Sequence, residues 1–179
     1  MEPAIVDPEL ARRLDTAQVR WCVIGAAALA AHGYARASDD IDLLTLETRV
    51  LEAEFWTGAP VKIRKGDWDD PLAGSVIWPG AIQHDVVVGR GHAAREALGT
   101  AVHHVRLGAR VATPLSIVLL KLEAGGAQDL YDILALMERR RIIDGAEWID
   151  RIAEHLPKLS PHAREAWARM QTLLSSSGI

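Results

Sequence analysis

The run Asp40-Ile41-Asp42-Leu43-Leu44-Thr45-Leu46 limits the folds open to this chain more than any other stretch. Its apolar residues predict a strand, and in a strand residues two apart project from the same face. Asp40 and Asp42 therefore stand together while Ile41 and Leu43 face the core. Two like charges at that spacing oppose each other's ionisation. A divalent cation neutralises them, and magnesium prefers oxygen ligands. Asp39 comes one residue too early for this face and is expected outside the site. A second strand, Ile82–Gly89, carries Asp85 among valines. A carboxylate there is costly unless paired or bound to metal. If the two strands are neighbours, Asp40, Asp42 and Asp85 can hold two metal ions about 4 Å apart, which suits in-line displacement at phosphorus.

Around these strands the chain reads as alternating elements. Asp7 or Pro8 opens a helix that runs to about Leu14. Arg20–Ala26 reads as a buried strand ending in glycine, and the Ala/Leu-rich stretch that follows as a helix stopped by Gly33. Thr48–Trp56 is expected to be helical. Val61–Lys65 and Ser75–Pro79 read as short strands around the polar loop GDWDDPLAG. His92–Leu98 suits a helix, and Val102–Leu107 and Arg110–Ala112 are weaker strand candidates. From Thr113, which can cap a helix with Pro114 in its first turn, the sequence is almost wholly helical. Gly125-Gly126 separates that helix from one over Gln128–Arg140, and Gly145–His155 and Pro161–Leu174 add two amphipathic stretches. The expected class is α+β (mixed α/β): a short mixed sheet flanked by helices over residues 1–112, followed by a C-terminal helical segment, 113–179, packed on it.

Composition narrows the function. A chain of 179 residues fits one domain, or one with a helical appendage. The net charge of −4 argues against a protein that coats DNA, though not against a local basic patch. The single cysteine, Cys22, excludes an internal disulfide and reads as a small buried hydrophobe. No apolar run approaches a membrane span, and the acidic start MEPAIVDPEL lacks a signal peptide's pattern. A cytoplasmic protein is the expectation. Gly25-Ala26 falls at a strand-to-helix junction, where free backbone N–H groups can meet phosphate oxygens. Arg36, Lys62, Arg64 and Lys65 are further candidate phosphate ligands.

Together these residues carry a resemblance. Ile24-Gly25-Ala26, thirteen residues, Asp40-Ile41-Asp42-Leu43 and then Asp85 between hydrophobics resemble the nucleotidyltransferase (polymerase beta-like) superfamily. The stretch IGAAALAAHGYARASDDIDLLT is similar to the minimal AbiEii-type toxin enzymes, whose R-x-[ST]-x-D-I-D run is matched by Arg36, Ser38, Asp40 and Asp42. Downstream, Lys121-Leu122-Glu123-Ala124 and Gln128-Asp129-Leu130-Tyr131-Asp132 resemble the K-x-x-A … R-D-x-x-D segment of that group. The resemblance implies transfer of a nucleoside monophosphate from an NTP to a hydroxyl, with two Mg2+ ions (Mn2+ as the alternative) on Asp40, Asp42 and Asp85. It implies phosphate contacts from Gly25, Ala26, Arg36, Ser38 and Lys121, and a nucleotide pocket built with Asp129 or Asp132. A tRNA 3′ end leads as acceptor, and a cognate antitoxin is the implied partner. Ala26 and Gln128 depart from the pattern, removing a hydroxyl and a positive charge. They motivate a second reading as a degenerate nucleotide-binding module. A third is an antibiotic-modifying nucleotidyltransferase.

Other polar features have structural explanations. His32 follows an alanine-rich helix, and His84 points away from Asp85 on a regular strand. His103-His104 has no partner at zinc spacing. Arg139-Arg140-Arg141 suits a helix C-terminus. Asp129 and Asp132, three apart on a helix, can also serve as ion-pair partners. Trp68-Asp69-Asp70 fits no calcium loop, and no Walker A, serine-hydrolase or dinucleotide motif is present.

Overall fold

The computed structural model describes residues 5–68, 70–144 and 147–176. Residues 1–4, Asp69, the first two residues of the stretch expected at 145–155, the end of the tail and the side chains of residues 140–144, 175 and 176, Arg140 and Arg141 among them, lie outside the described part. The chain divides into two compact units, Met1–Thr113 and Pro114–Ile179.

The first unit is built on a seven-stranded mixed sheet. Its strands are β1 (Trp21–Val23), β2 (Asp40–Thr45), β3 (Lys62–Lys65), β4 (Leu72–Trp78), β5 (Gln83–Gly89), β6 (Val102–His104) and β7 (Ala109–Val111). Their spatial order is β3-β4-β5-β2-β1-β7-β6. β2 and β5 are parallel neighbours at the centre, in the register Asp40↔Gln83, Asp42↔Asp85 and Leu44↔Val87. β1 runs antiparallel to β2 and parallel to β7. β4 pairs antiparallel with β5 and with the edge strand β3. The strand expected over residues 20–26 is shorter than its apolar run, because Gly25 already opens a helix. β4 starts earlier than expected, drawing Leu72–Gly74 out of the polar loop and into pairing with β3 and β5.

Three helices accompany the sheet: α1 (Pro8–Thr16), α2 (Gly25–Ala31) and α3 (Gly91–Thr100). Asp7 caps α1 by accepting from the Glu9 and Leu10 N–H groups, and Leu10 and Leu14 are fully buried. His84 fixes the same cap. Its Nε2 accepts from the Asp7 N–H at 3.1 Å, and its Nδ1 donates to Ile82 O at 3.0 Å. That pattern requires the neutral Nδ1–H tautomer. It also puts α1 on the sheet face of His84, opposite Asp85. α3 packs on the carboxylate face, where the Cys22 thiol meets Ala97 O and Gly89 leaves room for Ala94 and Leu44. The helix expected at Thr48–Trp56 is instead two 3-10 turns, Thr48–Leu51 and Ala53–Trp56, broken at Glu52. They still bury Val50 and Trp56, whose indole donates to Val50 O at 2.6 Å.

The second unit is helical: α4 (Pro114–Ala124), α5 (Ala127–Asp144), α6 (Glu147–His155) and α7 (Pro161–Ser176). α4 contacts the other three, and its Ile117, Leu119 and Leu122 are buried. Gly125, at φ +67, ends α4. Among the described residues no helix is long and apolar enough to cross a membrane.

Candidate active site and metal centre

Asp40, Asp42 and Asp85 come together in the first unit. Strand alternation aims Asp40 and Asp42 to one face of β2, and the parallel register sets Asp85 directly beside Asp42. One ligand oxygen from each carboxylate lies within 4.8 Å of the other two, and all three residues are half-buried. Neutral donors hold the outer two: Ser38 Oγ donates to Asp40 Oδ1 at 2.7 Å, and Gln83 Nε2 to Asp85 Oδ1 at 2.9 Å. Each of these bonds engages one oxygen. Three convergent carboxylates are hard oxygen ligands, the donor set that magnesium and calcium take. They are also mutually repulsive without a cation, so the residues present fit a divalent ion. Asp39 lies in an exposed bend outside this set.

Gly25 is part of the same construction. Its backbone sits at φ +61, and a Cβ added there would overlap Asp42 Oδ2. The Ile24 N–H donates to Asp42 O at 2.9 Å, tying the end of β1 to the same aspartate. Sequence reasoning assigned Gly25 to phosphate approach. The structure adds a nearer cause: the glycine makes room for the carboxylate of Asp42. Ala26, next to it, is buried.

The remaining predicted residues divide by location. Arg36 is exposed, and its Nη1 donates to Ala37 O at 3.3 Å. Lys62, Arg64 and Lys65 lie on the edge strand β3, two strands out from β5. Lys65 pairs with Glu52 at 3.3 Å. Lys121, Asp129 and Asp132 belong to the second unit, where they engage one another. Lys121 Nζ lies 2.9 Å from Asp129 Oδ1 and 2.7 Å from Asp132 Oδ2. Gln128 Nε2 donates to Asp132 Oδ1 at 3.1 Å, and the Gly126 N–H to Asp129 Oδ2 at 3.1 Å. Lys121 and Asp132 are buried.

The sequence reading missed Gln83. It stands two residues before Asp85, so the alternation that placed Asp85 also places Gln83 on the site face. The link from His84 to Asp7 spans 77 residues and left no local signal. Two smaller expectations match the structure. His32 Nε2 lies 2.8 Å from Ala112 O, a structural contact. Cys22 is fully buried, and desolvation pushes its thiol up to about 12, with Arg110 pulling the other way.

No protein-family model and no curated protein sequence matches the chain. Its fold does match solved structures. The solution structure of the antibiotic-resistance factor ANT(2'')-Ia superposes with a TM-score of 0.54 at 14% identity, covering 94% of each chain. The crystal structure of ANT(2'')-Ia in complex with adenylyl-2''-tobramycin superposes with a TM-score of 0.50 at 12% identity, covering 79% of this chain and 94% of that one. An antigenic nucleotidyltransferase-like protein from Paracoccidioides brasiliensis is more distant, with a TM-score of 0.48 at 17% identity over 94% of this chain and 88% of that one. The chain therefore has a mixed α/β, nucleotidyltransferase-like fold.

Proposed function

We propose that this protein is a metal-dependent nucleotidyltransferase acting through Asp40, Asp42 and Asp85. The observation that carries the reading is the convergence of the three carboxylates, with Asp42 and Asp85 in direct register on adjacent strands. Asp40 and Asp42 would hold both ions, and Asp85 the ion nearer the attacking hydroxyl. Two divalent ions bound there supply charge neutralisation on the attacking and leaving oxygens. Asp85 would accept the hydroxyl proton as the acceptor oxygen bonds to the α-phosphorus. The bond from that phosphorus to the bridging oxygen breaks, and pyrophosphate leaves. Gly25, Ala26, Arg36 and Ser38 are assigned to the NTP phosphates. The ions are Mg2+, with Mn2+ as a substitute.

The resemblance to AbiEii-type toxins supports a tRNA 3′ end as acceptor and a cognate antitoxin as partner. The likeness in fold to ANT(2'')-Ia supports the rival, an antibiotic acceptor. A third reading, a degenerate nucleotide-binding module, is favoured by one observation: Lys121, the residue assigned to phosphate, is paired with two carboxylates. Incubation with labelled NTPs, Mg2+ and bulk tRNA, or with an aminoglycoside, separates these readings. Label reaches an acceptor with wild type and not with Asp42→Ala if the assignment is right. Equal labelling by the two proteins would remove the site, and nucleotide binding without turnover on any acceptor would favour the degenerate module.

A further inference from the structure

The sheet carries a row of side chains outward from the carboxylates. Asp42 pairs with Asp85, Asp85 with Ile77 on β4, and Ile77 with Lys62 on β3. Residues paired across strands share a face, so Lys62 stands on the carboxylate face. The next row, Leu44–Val87–Ser75–Arg64, puts Arg64 on that face too. Lys65 alternates to the opposite face, where Glu52 neutralises it. Lys62 and Arg64 are exposed and have no acidic partner among the described residues. The surface between them and Asp85 is open: Ser75 and Ile77 are half-exposed, whereas Val76 and Trp78 on the other face are buried.

Beyond Arg64 the β3–β4 loop presents Trp68, 88% exposed. Its described residues are tied to Arg90 and to the start of β4. Arg90 Nη1 donates to Asp67 O at 2.6 Å, Trp68 O at 3.1 Å and Asp70 O at 3.2 Å, and Asp70 Oδ1 accepts from the Leu72 N–H. Two cations on β3 and the solvent-facing indole of a loop that also carries Asp67 and Asp70 offer the two contacts that single strands use, phosphate neutralisation and base stacking.

Resting on the nucleotidyltransferase reading above, we propose that the β3 edge is the acceptor-binding surface, and that Lys62, Arg64 and Trp68 grip the single-stranded end of a nucleic acid whose terminal hydroxyl lies at Asp85. The dimensions agree. β3 is two strands from β5, about 10 Å at the usual strand spacing. A stacked strand rises about 3.4 Å per nucleotide, so about three rises, to the fourth nucleotide counting the terminal one, reach Lys62. Two unneutralised cations on β3 supply contacts for the phosphates of a polyanion.

The test is strand binding by the full-length protein, read separately from turnover. Short fluorescein-labelled single-stranded RNA and DNA of mixed sequence are titrated by anisotropy over a range of salt, and ATP with Mg2+ is titrated by calorimetry. Wild type is expected to bind at least one strand. Lys62→Gln/Arg64→Gln, at exposed positions, is expected to weaken that binding about tenfold or more and to flatten the salt dependence by about 1.4 in log–log slope, the contribution of two single-strand phosphate contacts. ATP affinity stays at the wild-type value. Trp68→Ala is expected to weaken the strand severalfold at an unchanged slope. A wild type that binds neither strand, or a double variant with unchanged affinity and slope, overturns the proposal. Equal loss of ATP affinity would reassign Lys62 and Arg64 to the NTP. Full strand affinity in Trp68→Ala would remove the stacking contact. Because binding is measured without catalysis, an inactive protein that still shows these losses would count against the transferase reading and not against the surface.

Discussion

Gly25→Ala probes the link between backbone and metal centre. A non-glycine residue at φ +61 costs about 1–2 kcal/mol, partly offset by about 0.4–1 kcal/mol from the reduced entropy of the unfolded chain. The new methyl also overlaps Asp42 Oδ2, and overpacking of this kind costs about 1–3 kcal/mol. The total is about 2–4 kcal/mol. At roughly 2–4 °C per kcal/mol for a chain of this size, the melting temperature falls by about 4–16 °C. Repeating the change in an Asp42→Ala background isolates the cause. With the carboxylate gone only the backbone cost of about 1 kcal/mol remains, so the double-mutant cycle gives a coupling of about 1–3 kcal/mol. Thermal and urea unfolding of the four proteins measure it, and Mn2+ binding followed by electron paramagnetic resonance should be lost in Gly25→Ala. An equal cost in both backgrounds, with Mn2+ affinity intact, would refute the idea that this glycine exists to seat Asp42.

Other residues give sharper or simpler tests. Lys121→Ala leaves the buried Asp132 without its cation and should cost about 3–5 kcal/mol in chemical denaturation; unchanged stability with weakened nucleotide binding would instead make Lys121 a phosphate ligand. His84→Ala strands the Asp7 N–H and should cost about 1–3 kcal/mol while accelerating amide exchange across Pro8–Thr16; unchanged exchange there contradicts the assigned contact. Burial raises the Cys22 thiol to about 12 from 9.0, so between those values the unfolded chain loses its proton first and stability falls as pH rises. The urea midpoint should therefore drop more steeply above about pH 9 in wild type than in Cys22→Ala, and parallel profiles would contradict this.

Much of the site was legible because its signals are local and periodic. Asp40 and Asp42 follow from strand alternation, and Asp85 from the cost of a carboxylate among valines. What alternation cannot supply is the neighbour relation, and the β2–β5 register provides it. The end of the strand at residues 21–23 and the turns at 48–56 differ from expectation for related reasons. A glycine at positive φ opens α2 earlier than the apolar run suggests, and a break at Glu52 divides a stretch whose composition suits a helix. The buried pairing of Lys121 with Asp129 and Asp132 was foreshadowed only as an i, i+3 pair of acids. Their partner lies on the preceding helix, beyond the reach of a periodicity argument. The contact from His84 to Asp7 depends on the assembled sheet and has no sequence signature.

The central claim is that Asp40, Asp42 and Asp85 form a divalent-metal centre at which an NTP reacts. A crystal soaked with Mn2+ and a non-hydrolysable NTP analogue, with anomalous data collected at the manganese edge, tests it most directly. The account predicts anomalous density bridged by the three carboxylates and touching the nucleotide phosphates. Bound nucleotide with manganese elsewhere, or none at these aspartates, would contradict it.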